Sequence, residues 1–328
     1  MDKRITLAHG NGGRRMHELV EYFRGKFSNN MLNELADAAE ISVKKGKIAF
    51  STDSYVVKPL FFPGGDIGKL AVCGTVNDVS MKGARPLYLS LAFIIEEGFE
   101  FSLLEKIAQS IRNTALACSV KIVTGDIKVV EKGAADKIYI NTAGIGVIEK
   151  NISVGTRARI GDYIIINGGI AEHGMAILNA REKLSFKSGI KSDCAHLNFI
   201  VQKCMKASRS ISVMRDLTRG GLATALSEIA QASNLGIEIC ESDIPIKPRV
   251  KNFCNVLGFD PLYVANEGKF ICFVAKKDIP RLKRAMSIES AVIGNVTKRH
   301  KRKVYLKTRV GSSRILPVLE EDQLPRIC

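Results

Sequence analysis

The chain has 328 residues, enough for two domains of ordinary size and a sizeable core. Apolar residues make up 46% and charged residues 25%, which excludes a disordered chain. Lys and Arg outnumber Asp and Glu by 49 to 33, a net charge of +16, yet Trp is absent and aromatics reach only 6%, thin for a surface that stacks bases.

Met1 to Gly10 carries basic residues with no apolar stretch behind them, so no secretory signal is expected. The longest apolar run, Leu87 to Ile95, is far too short for a membrane span, and a soluble cytoplasmic protein is expected.

In chain order, a Gly-rich stretch from His9 to Arg15 precedes a helix marked by Met16, Leu19, Val20 and Phe23. Residues 47–57 read as a strand, Lys69 to Met81 as a helix, and Leu87 to Ile95 as a buried strand. Ser102 to Ala117 reads as an amphipathic helix, capped by Ser102 with Glu105 three residues on. Strands follow at 120–124 and 138–147, and the stretch Asn151 to Gly155 reads as a linker. The second half opens with a strand at 163–166 and then shows two glycine-to-helix transitions, at Gly168-Gly169 and Gly220-Gly221. The region 243–328 holds 18 Lys or Arg against 8 Asp or Glu, with a basic run at 298–303. Leu316 to Cys328 has two prolines and no period, and reads as a mobile tail. Strands alternate with helices throughout, which predicts an α+β protein of two domains, 1–150 and 151–315, with the tail 316–328.

Several familiar signals fail. Pro63 stands where a P-loop needs its first glycine, and Leu70 where it needs Ser or Thr. Arg15 and Glu149 spoil two incipient dinucleotide fingerprints. None of the eight cysteines forms a C-x-x-C pair, and seven of them read as small core side chains.

Four acidic positions survive: Asp53, Asp78, Asp126 and Asp216, each beside small or polar residues at the end of a predicted element. A lone Asp of this kind is more often a cap or turn residue. Four of them with two Gly-Gly helix starts suit magnesium on a triphosphate, because carboxylate oxygens are hard ligands and helix N-termini offer free N–H groups. Lys128 and Arg219 are placed to neutralise phosphate, or else are plain surface. Cys328 sits on a Pro-hinged segment, and a thiol there can enter a cleft and leave it.

These residues carry a resemblance. The chain resembles the HypE-type hydrogenase maturation family, within the superfamily of aminoimidazole ribonucleotide synthetase and selenophosphate synthetase. The matching stretches are His9-Gly-Asn-Gly-Gly-Arg14, Ser51 to Tyr55, Gly74-Thr-Val-Asn-Asp78, Thr124 to Val130, Glu172 to Ala176, Met214 to Leu222, Asn266-Glu-Gly-Lys269 and Pro325-Arg-Ile-Cys328. The chain departs from the pattern at Asn11, Ile127, Leu217 and the pair Ala171-Glu172, where Gly-Asp is usual.

The resemblance implies ATP-dependent dehydration of an S-carboxamide on Cys328 to a thiocyanate, a cyanide source for hydrogenase iron. It implies ATP and Mg2+ as cofactors, with a carbamoyltransferase, HypF, and a HypC–HypD scaffold as partners. It implies Cys328, Glu267 and Lys128 as catalytic residues, Glu267 being the base. It implies His9, Gly10, Gly12, Gly13, Arg14, Asp53, Asn77, Asp78, Asp126, Arg219 and Gly220 as ATP-binding residues, and Asp53, Asp78 and Asp216 as metal ligands. It implies an N-terminal mixed sheet that closes a barrel across a homodimer, and a C-terminal α/β sandwich. Two alternatives stay open: a synthetase acting on a diffusible substrate, and a nucleic-acid binder suggested by the basic charge.

Overall fold

The computed structural model describes residues 4–9, 14–33, 46–148, 157–182, 189–320 and 323–324. The first half runs α1 (Arg14–Phe27), α2 (Asn30–Asn33), β1 (Lys47–Tyr55), the short strands β2 (Phe61–Phe62) and β3 (Gly65–Asp66), α3 (Ile67–Met81), β4 (Arg85–Glu96), α4 (Phe101–Cys118), β5 (Lys121–Val130) and β6 (Ile138–Ile148). The second half runs β7 (Asp162–Ile166), α5 (Glu172–Arg181), α6 (Asn198–Ala207), β8 (Val213–Asp216), α7 (Gly221–Ser233), β9 (Gly236–Cys240), α8 (Pro248–Leu257), β10 (Phe270–Ala275), α9 (Ile279–Ala285), β11 (Ala291–Thr297), β12 (Val304–Lys307) and β13 (Ser313–Ile315).

The first sheet has the order β1-β6-β4-β5, antiparallel except for the parallel β4–β5 pair. It is open: β1 and β5 form its two edges, and the described chain alone closes no barrel. Its residues alternate as one-sided strands do. Leu89, Leu91, Phe93 and Ile95 of β4 are buried under the helices, whereas Ile94 is exposed on the other face. The apolar run at 87–95 is therefore buried on one face, not both. β1 obeys the same rule, with Ile48 and Phe50 outward and Tyr55 inward.

Helix α3 starts at Asp66, whose carboxylate accepts from the N–H of Gly68 at 2.8 Å and of Lys69 at 3.1 Å. Its other oxygen accepts from Ser110 Oγ at 2.7 Å, which ties α3 to α4. Helix α4 instead begins without a side-chain cap, with Glu100 at the N-cap position. Ser102, expected to cap it, lies one residue inside the helix.

The second sheet has the order β13-β12-β9-β11-β7-β10-β8, antiparallel except for β12–β9. Helix α7 covers one face, where Ile164, Ile271 and Phe273 meet Leu222 and Leu226. Helices α6 and α9 cover the other over its β7–β10–β8 side, where Cys272 and Val274 meet Val201 and Leu282. A single apolar cluster also runs between the halves: Met175, Ile177, Val250 and Phe253 of the second half pack with Leu70, Ile107 and Phe93 of the first. Leu316 and Leu324 are buried too, so the segment read as a tail begins inside the core. Among the described residues, no helix is long and apolar enough to cross a membrane.

Candidate functional site

The two halves meet at a cleft of about 600 Å³. The first half contributes Thr52 and Asp53 from β1 and Gly74 and Asp78 from α3, the latter two one helical turn apart. The second half contributes Arg215 and Asp216 from β8, Thr218, Arg219 and Gly220 from the following turn, Thr224 and Glu228 from α7, and Glu267. Val318 and Leu319 complete the lining.

Local backbone explains these positions. Gly220 and Gly221 have φ of 69° and 58°, the left-handed region that favours glycine. A Cβ on Gly221 would lie 2.6 Å from the Val264 carbonyl, so the start of α7 presses against the segment that carries Glu267. The pairing of β8 with β10 sets Asp216 opposite Phe270, three residues after Glu267. The other expected glycine-led helix, α5, starts at a left-handed Ala171 with φ 71°, held by its N–H on Asn266 Oδ1 at 2.7 Å.

The site is acidic and partly buried. The Asp216 carboxyl is raised to about 7, first by burial and then by neighbouring Asp78, while Arg215 opposes. Asp78 and Asp216 line the same cleft, and Ser51 Oγ donates to Asp78 Oδ2 at 2.8 Å. Burial also raises Asp53, against the pull of the Ser54 N–H at 2.8 Å. Arg219 lies 3.9 Å from Asp53, and Arg215 is 2.8 Å from Glu228; both are surface pairs worth little to stability. Glu267 is 3% exposed and its carboxyl stands well above its ordinary range, first through burial, then through Cys194, Asp193, Asp216 and Asp53. A buried carboxyl of this kind is a strong base once its proton has left.

The cleft thus gathers Asp53, Asp78, Asp216, Arg219, Gly220 and Glu267 of the expected residues. It does not gather Asn77, Asp126, Lys128 or His9. Asn77 is buried one position round the helix from Asp78, donating to the carbonyls of Ala195 at 3.0 Å and Glu267 at 3.2 Å and accepting from the Leu197 N–H at 2.7 Å. Its amide is occupied inside the protein rather than offered to a nucleotide. His9 is buried, with Nδ1 bonded to the Thr6 N–H at 3.1 Å. Asp126 and Lys128 form an exposed pair, 3.9 Å apart, on edge strand β5. In register they lie beside Ala92 and Ile94, on the open face of the first sheet. Gly10, Gly12, Gly13 and Cys328 lie outside the described residues, and of Arg14 only its place at the start of α1 is described. The sequence reading missed Thr224 and Glu228, although their spacing of four puts them on one helix face.

Comparison with known proteins fits this two-part site. The family models "AIR synthase related protein, N-terminal domain" and "C-terminal domain" match residues 35–148 and 159–307. The chain is 45% identical to the carbamoyl dehydratase HypE of Rhodobacter capsulatus, covering 100% of this chain and 99% of that one. The chain belongs to the HypE family.

A solved HypE structure in complex with ATP superposes with a TM-score of 0.95 at 45% identity, over 98% of this chain and 99% of that one. A HypE–HypF complex structure matches with a TM-score of 0.79 at 45% identity, over 94% of this chain and 100% of that one. Hydrogenase maturation is therefore the setting in which the cleft is to be understood.

Proposed function

We propose that this HypE-family chain is an ATP-dependent carbamoyl dehydratase acting on its own Cys328. The carboxamide oxygen attacks the γ-phosphorus of ATP and ADP leaves. The oxygen then departs from carbon as part of phosphate, and both N–H protons are lost as C≡N forms. Phosphorylation is needed because hydroxide is a poor leaving group, whereas phosphate is a good one. The observation that supports this reading best is Glu267, a buried carboxyl opening on a cleft lined by Asp53, Asp78, Asp216 and Arg219. Glu267 takes a carboxamide proton from its buried position at the edge of the cleft.

The donor set fits a magnesium ion. Asp53, Asp78 and Asp216 line one cleft, and carboxylate oxygens are the hard ligands that a magnesium ion takes. Among the described residues no group of three acids, histidines or cysteines lies close enough together to form a metal cluster. Asp53, Asp78 and Asp216 would hold the ion, which neutralises phosphate charge when bound. Arg219 would exchange Asp53 for phosphate.

The reading extends to a division at about residue 150, and to a cytoplasmic homodimer in which the open face of the first sheet meets its copy to close a barrel. Asp126 and Lys128 belong to that face and would act there, with Lys128 near the partner copy's site. HypF would supply the carbamoyl group, as the existence of a HypE–HypF complex supports. A HypC–HypD complex would receive the cyano group, as a ligand for the iron of a nickel–iron hydrogenase.

The test is mass spectrometry of the C-terminal peptide after incubation with carbamoyltransferase, carbamoyl phosphate and ATP. A carbamoyl adduct on Cys328 that loses the mass of one water is expected. An unmodified Cys328, with ATP still consumed, would refute the reading in favour of a diffusible substrate.

A further inference from the structure

Glu267 lies in a segment with no regular secondary structure, between a short 3-10 turn at Pro261–Tyr263 and strand β10. A base on such a segment must be fixed by its surroundings to act at one distance from its substrate. The structure fixes it by a second carboxylate. Asp193 Oδ1 accepts from the Glu267 N–H at 3.1 Å, and Asp193 Oδ2 from the Gly268 N–H at 3.2 Å. One carboxylate therefore spans two successive N–H groups, in bonds strengthened by its charge. Its side chain is 1% exposed and has Lys269 Nζ at 3.9 Å. The two segments touch directly: a Cβ on Gly268 would lie 2.1 Å from the Asp193 main-chain oxygen.

Asp193 is itself held in place. Next to it, the Ser192 N–H donates to the Pro63 carbonyl at 2.7 Å, and Ser192 Oγ bonds to His173 Nδ1 at 2.7 Å. Beyond it, Asn77 joins Ala195, Leu197 and the Glu267 carbonyl. The strap 192–197 thus links the first half of the chain to the backbone of the base. Asp193 is not among the residues lining the cleft, and both its oxygens face the segment 267–269.

We propose that Asp193 is a positioning residue for the dehydration, acting through Glu267. The proposal rests on Glu267 being the base, and the experiment separates the two. Single-turnover cyanation of the full, carbamoylated chain is measured for wild type, Asp193→Asn, Glu267→Gln and the double variant, with ATP affinity measured for each.

Displacing a base by a fraction of an ångström to one ångström should slow Asp193→Asn by roughly 10- to 100-fold. Its ATP affinity should stay within about twofold, because Asp193 does not line the cleft. In the double variant the loss should equal that of Glu267→Gln alone, since a residue acting through a missing base has nothing left to position. A wild-type rate for Asp193→Asn, or losses that multiply in the double variant, overturns the assignment. A wild-type rate for Glu267→Gln removes the base itself, and with it the reason for the assignment, whatever Asp193→Asn does. Should Asp193→Asn fail to bind ATP, Asp193→Glu decides, because it keeps the charge but lengthens the reach. Slowed cyanation with retained ATP affinity then supports the proposal, and an undiminished rate overturns it.

Discussion

Among the described residues, the four-stranded sheet of the first half carries helices on one face only, while the β7–β10–β8 side of the seven-stranded sheet is covered on both. The sequences of the strands reflect this. β10 is Phe-Ile-Cys-Phe-Val-Ala and is buried almost throughout, whereas β1 turns Ile48 and Phe50 to solvent, Phe50 at 67%. A strand buried on both sides needs apolar residues at every position, and a strand buried on one side needs them at alternate positions. Apolar residues on the solvent side of β1 and β4 are then surplus to the single chain, which is what a surface that meets a partner requires. The second half instead turns Met175, Ile177, Val250 and Phe253 to the first half of the same chain. Both halves nonetheless send acids into one cleft, from the covered side of each.

Four changes sharpen or break that comparison. The largest effect is expected for Phe273→Ala in the covered sheet. Fully buried between β10 and α7, it should cost about 3–5 kcal/mol in urea unfolding. A cost below about 1 kcal/mol would mean that this sheet is not the rigid half.

Glu267→Gln comes next. Single-turnover cyanation should fall roughly 100-fold, about 2.7 kcal/mol, while ATP affinity holds. An unchanged rate would leave the cleft without its base.

The third concerns pH. The Asp216 carboxyl rises from 3.8 to about 7 on folding, so the folded chain holds this proton more tightly than the unfolded one. Its contribution is fully present below the unfolded value and is lost as pH climbs through about 7. Without divalent cation, stability should decline between these values, and Asp216→Asn should flatten that decline. Asp53 and Glu267, raised in the same direction, should leave a residual slope. Urea midpoints at pH 5 and pH 8 measure it, and equal slopes in the two proteins would show Asp216 ionised in the native state.

The smallest folding effect belongs to Phe50→Ser on the open face. In dilute monomer it should change the unfolding free energy by less than about 0.5 kcal/mol. The same change should reduce the sedimentation mass from two chains to one. A loss of several kcal/mol in the monomer would place Phe50 in a contact within one chain and remove the contrast between the sheets.

Much of this was legible in the sequence, because helix and strand periods are local. Met16 to Phe23 and Lys69 to Met81 fall in helices as expected, and a helix begins at Gly221 where the Gly220-Gly221 pair marks a start. What failed depended on where the chain enters a helix and on distant residues. Ser102 does not cap α4, since the chain enters that helix one residue earlier, at Phe101. The run 87–95 hid its alternation because its outward positions include Tyr88, Ala92 and Ile94. In the site, Asp53, Asp78, Asp216, Arg219 and Glu267 converge, whereas Asn77 turns inward beside Asp78 to bond three backbone groups. Asp193 carried no signal at all. Its partners are two N–H groups 74 and 75 positions away, and no spacing rule reaches so far.

Val318 and Leu319 line the cleft, but Leu324, 4% exposed, is packed in the core cluster beside Gly174, four positions before Cys328. Four residues span at most roughly 13–14 Å when drawn straight. On the proposed function, a carboxamide carried on Cys328 would stay within that distance of the anchor, and any longer excursion would require Leu324 to leave its place. One buried leucine would then set how far the thiol can travel between cleft and acceptor.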